Sequence, residues 1–235
     1  MQVVILCGGK GRRAHPLTQD IPKPMLPIGG SPILVHLMQL FADQGHREFV
    51  LSVGYRQEII RDYFQGRHPD WCVDIIDTGA DADTGERLRG CRPLLGETFF
   101  ATYGDGLADV PLDALLAFHM AHGGLMTLTS VPLTCQYGIV EADAKGRVAS
   151  FHEKPVLREY WINAGFMVME RRLFDHWPGP NLERDVLPSL ARREQVYTFR
   201  HDGFFKALDS LKDQQELDEM LRSNRAPWRS VRAAR

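Results

Sequence analysis

The chain has 235 residues, 44% of them hydrophobic, with 28 Lys and Arg against 30 Asp and Glu and a formal charge of −2. That length buries a substantial core, as one large domain or one domain with an appendage. The near-neutral balance excludes a generally basic surface for nucleic acid or for a membrane face, so a phosphate ligand has to be met by local cations.

Cys7, Cys72, Cys91 and Cys135 are dispersed and form no CxxC pair, which points away from a zinc centre or a disulfide framework and toward reduced thiols. The chain opens directly on a strand-like run, and no apolar stretch approaches the roughly 18–20 residues of a membrane span. The expectation is a cytoplasmic protein with no membrane and no nucleic-acid partner.

VVIL at 3–6 reads as a buried strand and is followed by GGKGRRAHPLTQDIPKPML, from Gly8 to Leu26. SPILVHLMQLFADQG at 31–45 predicts a helix with Ser31 as its cap, Pro32 in its first turn and Gly45 at its stop. EFVLSV at 48–53, CVDIID at 72–77 and FFATYGD at 99–105 read as strands, and RQEIIRDYF at 56–64 and PLDALLAFHMAHGG at 111–124 as helices. This alternation predicts an α/β fold, a mostly parallel sheet with helices on both faces and ligands beyond the carboxyl ends of the strands. The loop after the first strand and the TYGDG loop then share one rim. From about Leu125, LMTLTSV, GIVEA, RVASFHE and WINAGFMVME predict shorter, antiparallel additions to the sheet, followed by helices at about 182–193 and 210–222. The tail RAPWRSVRAAR, from Arg225, reads as a docked or frayed end.

Gly9-Lys10-Gly11-Arg12-Arg13-Ala14 matches the dinucleotide pattern GxGxxG/A after a strand, but His15-Pro16 interrupts the helix and no acid closes the second strand. No GK[ST] is present for a P-loop. What remains is a loop whose glycines let backbone N–H groups approach a phosphate, with Arg12 and Arg13 able to add charge-assisted bonds. A tight turn with solvated arginines is the plain alternative. Pro22-Lys23-Pro24 fixes the backbone on both sides of one lysine, which suits an aimed ammonium and equally a rigid surface turn.

Tyr103-Gly104-Asp105-Gly106 ends a strand on an acid flanked by glycines, open to a metal ion or a phosphate. A Mg²⁺ ion bridging phosphate oxygens wants a second carboxylate, for which Asp209 in KALDSLKD is the best candidate. Its structural alternative is an N-cap, with Ser210 and Asp213 as a capping-box pair. Glu153-Lys154-Pro155 and Asn163-Ala164-Gly165 offer partners for hydroxyls and a cation for an anionic group, though residues leaving strands also simply meet water. His119 and His122 lack a third ligand nearby and read as a solvated helix face. No GxSxG, supported Cys–His pair or glycosidase-like carboxylate pair is present, so covalent catalysis has no candidate nucleophile.

LCGGKGRRAHPLTQDIPKPMLPI, continued by YGDG, FHEKP, INAG and FFKALDSLKD, resembles the signature of sugar-1-phosphate nucleotidyltransferases over nearly the whole chain. Within that family, VDIIDTGADADTGERLRG at 73–90, TYGDGLADVPLDALLAFHMAHG at 102–123 and NRAPW at 224–228 are similar to glucose-1-phosphate cytidylyltransferases, which make CDP-glucose from CTP. The resemblance implies a Rossmann-like, mostly parallel (mixed) sheet flanked by helices, of the nucleotide-diphospho-sugar transferase type. It implies one domain over 1–235, with a nucleotide-binding half at 1–124, an acceptor-binding half at 125–222 and a basic tail at 223–235.

It also implies roles. Leu6, Gly8, Gly9, Gly11, Arg12 and Gly104 would line the nucleotide, with Arg13 and Lys23 as catalytic cations. Asp105 and Asp209 would hold Mg²⁺, which moves the reading of Asp209 from cap toward metal. Thr84, Gly85 and Arg87 would lie against the cytosine, and Tyr137, Gly138, Glu153, Lys154, Asn163 and Gly165 around the sugar phosphate. The implied reaction is in-line attack of the sugar phosphate on the α-phosphorus of CTP, with pyrophosphate leaving.

The chain departs from the family pattern in three places. Arg12 and Ala14 replace the usual threonine and leucine, only Gln65 to Asp74 separates the second helix from the DTG motif, and Tyr160-Trp161 and LERDVLPSLA resemble the broader family. The acceptor therefore stays open among glucose 1-phosphate, a heptose phosphate or a phosphorylated polyol, and UTP, dTTP or GTP stays open beside CTP. A homo-oligomer is compatible with the sequence. The readings from other classes are a regulatory nucleotide-binding homologue, and a dehydrogenase that would need an acid where SVGY at 52–55 supplies none.

Overall fold

The computed structural model describes residues 1–229. Strand β1 (Gln2–Leu6) leads through a long loop to the two-residue strands β2 (Pro27–Ile28) and β3 (Ser31–Pro32), then α1 (Ile33–Asp43), β4 (Glu48–Val53) and α2 (Gln57–Phe64). Next come β5 (Cys72–Asp77), α3 (Thr84–Gly90), β6 (Thr98–Tyr103), β7 (Gly106–Ala108) and α4 (Leu112–His122). The second half holds β8 (Met126–Thr134), the hairpin β9 (Ile139–Ala142) and β10 (Val148–His152), and the long β11 (Val156–Glu170). It ends with α5 (Leu187–Arg192), β12 (Val196–Arg200), β13 (Phe205–Ala207) and α6 (Leu211–Arg222).

Seven strands form one sheet in the order β12-β8-β11-β6-β1-β4-β5. β1 pairs in parallel with β4 and β6, β4 with β5, and β12 with β8, while β11 alone runs antiparallel to both its neighbours. The sheet is thus mixed and mostly parallel. Both of its faces are covered, which the alternation along β1 makes visible. Val3 and Ile5 join a core with Phe41 of α1, Phe100 and Phe166, whereas Val4 and Leu6 join a second core with Leu88 of α3, Phe99, Met167 and Leu190 of α5. Strands buried on both faces read as continuous apolar runs, as VVIL does. Among the described residues no helix is long and apolar enough to cross a membrane.

Five local expectations need correction or extension. Ser31 does not cap α1: it pairs with Ile28 in the β2–β3 hairpin, and Pro32 stands at the cap position without a side-chain bond. The region from 182 starts as a π-helical turn, Leu182–Val186, before α5, with Asn181 Oδ1 accepting the Arg184 N–H at 2.8 Å. α3 was not expected, although its capping box, Asp83 with Glu86, is written in the sequence. The tail is docked through Trp228, which is 1% exposed and packs on Phe204 and edge-on to His36; 230–235 lie outside the described residues.

The fifth concerns α4, whose histidines do not form a solvated face. His119 is 2% exposed. Gly124 N–H donates to His122 Nδ1 at 2.9 Å, so His122 carries its proton on Nε2 and donates to Thr127 Oγ1 at 2.6 Å. That hydroxyl can then donate to His119 Nδ1 at 2.9 Å, leaving His119 Nε2–H for Glu170 Oε1 at 3.1 Å. The reason is steric: β8 and β11 run directly beneath the helix, and polar groups buried there need partners.

Candidate active site

The strand order reverses at β1. The chain runs outward through β4 and β5, then returns as β6 on the other side of β1, with Leu6 paired to Tyr103 at their carboxyl ends. Loops leaving such a switch point diverge and open a crevice, the usual ligand position in this architecture.

Lys23 sits in that crevice with its side chain 7% exposed, at the start of a 3-10 turn between Pro22 and Pro24. Its ammonium donates to Asp105 Oδ2 at 2.6 Å and to Asp209 Oδ1 at 2.5 Å. Arg13 Nη1 donates to the other oxygen of Asp209 at 2.9 Å, from a side chain that is 75% exposed. Two cations and two carboxylates therefore alternate in one cluster. Short antiparallel pairing brings the acids together: β13 runs against β7, with Ala207 opposite Gly106, and Leu208 N–H donates to the Asp105 carbonyl at 2.8 Å.

The capping alternative for Asp209 is settled by its neighbour. Ser210 is the N-cap of α6, its Oγ accepting the Asp213 N–H at 3.2 Å and donating to the Asp213 carboxylate at 2.7 Å. Asp213 also accepts the Asp209 N–H at 3.2 Å. The Asp209 carboxylate is left to face Lys23.

The loop after β1 packs against the segment after β5. A Cβ at Gly8 would overlap the Arg87 guanidinium, so a larger residue there would displace Arg87 from its place. Arg87 is buried and donates to Gly79 O at 2.9 Å, Thr78 Oγ1 at 3.1 Å and Ala80 O at 3.3 Å. Its two Nη groups thus hold the 78–80 loop from below. Lys10 Nζ reaches Asp81 Oδ1 at 2.6 Å across the same opening. Gly9 and Arg12 are exposed, Gly11 adopts φ 60°, and Gly104 N–H donates to the Leu6 carbonyl at 3.1 Å.

Thr84 and Gly85 open α3, with Gly85 against the Pro180 carbonyl and Thr84 Oγ1 donating to Glu183 Oε2 at 2.6 Å. Tyr103, whose hydroxyl also donates to Glu183, and Glu183 itself were missed from sequence. Tyr103 lay in view inside TYGDG, whereas nothing local marks Glu183.

Asn163 and Gly165 lie on β11 beside Tyr103, and Asn163 Oδ1 accepts the Gly165 N–H at 2.9 Å. Tyr137 and Gly138 precede β9, while Glu153 and Lys154 follow β10, exposed and 3.6 Å apart at their charged ends. Among the described residues, no hydrogen bond or ion pair joins Glu153 or Lys154 to the Lys23 cluster. The sequence-derived set therefore divides into a joined group around Lys23, a packed group around Thr84 and Tyr103, and an exposed hairpin.

Burial, and next to it the Glu183 carboxylate, hold the Tyr103 hydroxyl well above the usual phenol range, so it stays a donor. Burial likewise pushes the Cys7 thiol up and keeps it protonated. Among the described residues no three His, Cys, Asp or Glu side chains gather to hold a metal ion. Asp105 and Asp209 converge on the Lys23 ammonium; their chemistry fits Mg²⁺, which takes one or two carboxylates and fills its remaining positions with water and substrate phosphates, with Lys23 giving up that place to the ion.

A switch-point crevice with a glycine loop, paired cations and convergent carboxylates is the equipment of phosphoryl-group chemistry, and residues 2–216 match the nucleotidyl transferase family. The chain belongs to that family and is a nucleotidyltransferase. It is 34% identical to the probable glucose-1-phosphate cytidylyltransferase of Bacillus subtilis, over 97% of this chain and 99% of that protein. It is also 34% identical to the glucose-1-phosphate cytidylyltransferase of Salmonella typhi, over 98% and 99% of the two chains. The solved structure of HddC from Yersinia pseudotuberculosis complexed with GMP-PN superposes with a TM-score of 0.74 at 25% identity, over 94% of this chain and 99% of that one.

Proposed function

We propose that this enzyme transfers CMP from CTP to a sugar 1-phosphate, with glucose 1-phosphate the first choice, in a Mg²⁺-dependent reaction that releases pyrophosphate. The observation that carries the reading is the Lys23 ammonium shared between Asp105 and Asp209, with Arg13 on the second acid. The relatives named for the same reaction support the choice of nucleotide and acceptor.

Asp105 and Asp209 would hold Mg²⁺, which when bound supplies charge neutralisation to phosphate oxygens. Backbone N–H groups of the loop from Gly8 to Gly11 bind and orient the triphosphate. Arg13 offers its fork to the oxygens that depart as pyrophosphate, and Lys23, fixed between two prolines, meets the charge that builds around the α-phosphorus. Thr84 and Gly85 lie along the base, in a loop that Arg87 holds in shape. Glu153 and Asn163 take sugar hydroxyls, Lys154 takes the acceptor phosphate, and Tyr137, Gly138 and Gly165 complete that wall.

The acceptor phosphate is already anionic at neutral pH, so its oxygen attacks without a general base. One P–O bond forms at the α-phosphorus as the bond to the β-phosphate breaks. Positioning and charge stabilisation suffice, and no protein nucleophile is required. The four free cysteines suit a reducing cytoplasmic setting.

Pyrophosphate release measured with CTP, UTP, dTTP and GTP against glucose 1-phosphate, a heptose 1-phosphate and a polyol phosphate tests this. Release with CTP that requires a sugar 1-phosphate is expected. Turnover with GTP and not CTP, the nucleotide suggested by the GMP-PN complex of the Yersinia neighbour, would overturn the base assignment.

A further inference from the structure

Glu183 occupies the π-helical turn Leu182–Val186, a geometry that frequently marks functional positions. Its two carboxylate oxygens go to two different elements. Oε2 accepts from Thr84 Oγ1 at 2.6 Å, and Thr84 Oγ1 in turn accepts the Leu182 N–H at 3.0 Å. Oε1 accepts a short hydrogen bond from the Tyr103 hydroxyl. One side chain thus joins the first residue of α3 to the end of β6.

Each end of this link is itself tightly packed. On the α3 side, Glu86 N–H donates to the Pro180 carbonyl at 2.9 Å, and Gly85 lies against the same carbonyl. On the β6 side, the Tyr103 ring lies under Gly165, whose φ of 82° and missing Cβ let β11 rest on the ring; a Cβ there would overlap Cδ2. Asn163 is fastened to Gly165 by its 2.9 Å bond. A continuous line of contacts thus runs from Thr84 through Glu183 and Tyr103 to the Asn163–Gly165 turn, with none of the Lys23 cluster's side chains in it.

We propose that Glu183 is a positioning residue that couples the two substrate pockets, so that the nucleotide on the Thr84 side and the sugar phosphate on the Asn163–Gly165 side tighten each other's binding. The proposal rests on the assignment of those two walls to nucleotide and acceptor made above. Coupling of this kind is reciprocal, because both ligands bias one shared arrangement. The Glu183 carboxylate is engaged by Thr84 and Tyr103, so its effect falls on how the substrates are held relative to each other.

The test is calorimetric titration of the whole chain with an α,β-methylene analogue of CTP, with and without saturating glucose 1-phosphate, in wild type, Glu183→Gln and Glu183→Asp. In wild type, glucose 1-phosphate should lower the Kd of the analogue by about fivefold or more, within the usual range of coupled sites. In Glu183→Gln the amide oxygen still accepts from Tyr103, but the Thr84 hydroxyl, which donated to the carboxylate, must now accept from the NH₂ group beside the Leu182 N–H, and both charge-assisted bonds are lost. The fivefold ratio should then fall toward one while each binary Kd stays within about threefold of wild type. Glu183→Asp, which keeps two acceptor oxygens, should recover part of the ratio.

An unchanged ratio in Glu183→Gln overturns the proposal. So does joint collapse of both binary affinities together with the melting temperature, which marks a structural role alone. Failure of the wild-type chain to bind the analogue at all condemns the reaction reading itself, and the coupling with it.

Discussion

Lys23 has two carboxylate partners and almost no contact with solvent, so its neighbours cannot be changed one at a time without electrostatic consequence. Removing one charge from a buried group leaves the rest unbalanced, and removing a group aimed at developing phosphate charge slows the chemical step. Asp105→Asn keeps the shape and removes one charge; turnover should fall by about 10³-fold, a barrier increase of about 4 kcal/mol, with the circular dichroism spectrum unchanged. Activity within tenfold of wild type would take Asp105 out of the site. The residues of this cluster were unequally legible. Pro-Lys-Pro left Lys23 open between an aimed ammonium and a rigid turn, and its burial between two acids favours the first; sequence gave Asp209 two uses, of which the position of Ser210 removes the cap. Arg87, in a ligand-like motif, turns its Nη groups to the Thr78 hydroxyl and to the Gly79 and Ala80 carbonyls, a structural use that nothing in the spacing announces.

At the scale of elements, α6 matters because its first turn aims Asp209. Ser210→Ala removes the bonded cap and should cost about 1 kcal/mol of stability, measured by urea unfolding. It should also lower turnover, since the Asp213 carboxylate then loses the hydroxyl that helps fix the Asp209 backbone. Loss of stability with full activity would show that the cap does not position the acid.

The histidines packed against α1, α2 and α4 set a pH dependence. Burial, as the largest cause, holds His36, His46, His68 and His122 below the ordinary value of 6.5. The unfolded chain then binds more protons than the folded one as pH falls through 6.5, so stability is intact above that value and declines below it. The urea midpoint should therefore drop between pH 7.5 and 5.5, and His122→Gln should make the decline shallower. An unaltered slope would mean that the His122–Thr127–His119 chain tolerates a second ring proton. α1's cap was misread because a hairpin claimed Ser31, and α3 was overlooked although Asp83 and Glu86 spell its start.

For the molecule as a whole, strand and helix alternation made the parallel sheet and the rim of loops legible; of the later strands expected as short antiparallel additions, β8 and the long β11 join the sheet and pair antiparallel, while β9 and β10 pair apart from it as a hairpin. What periodicity could not encode is order. That β6 returns beside β1 rather than beyond β5, opening the crevice where it does, is decided by long-range burial of residues such as Phe100 and Phe166 on one face and Phe99 and Met167 on the other. Glu183 was illegible for the same reason, because its partners at Thr84 and Tyr103 are distant in sequence and meet only once the halves of the sheet are assembled.

The central claim is that the acceptor's own phosphate displaces pyrophosphate from CTP in this crevice. Phosphorus NMR of a reaction containing CTP, glucose 1-phosphate and Mg²⁺ follows both phosphorus atoms directly. Two mutually coupled resonances of a diphosphate ester, growing in step with one equivalent of pyrophosphate, are the predicted result. Accumulation of CMP and pyrophosphate with the sugar phosphate unchanged would contradict it.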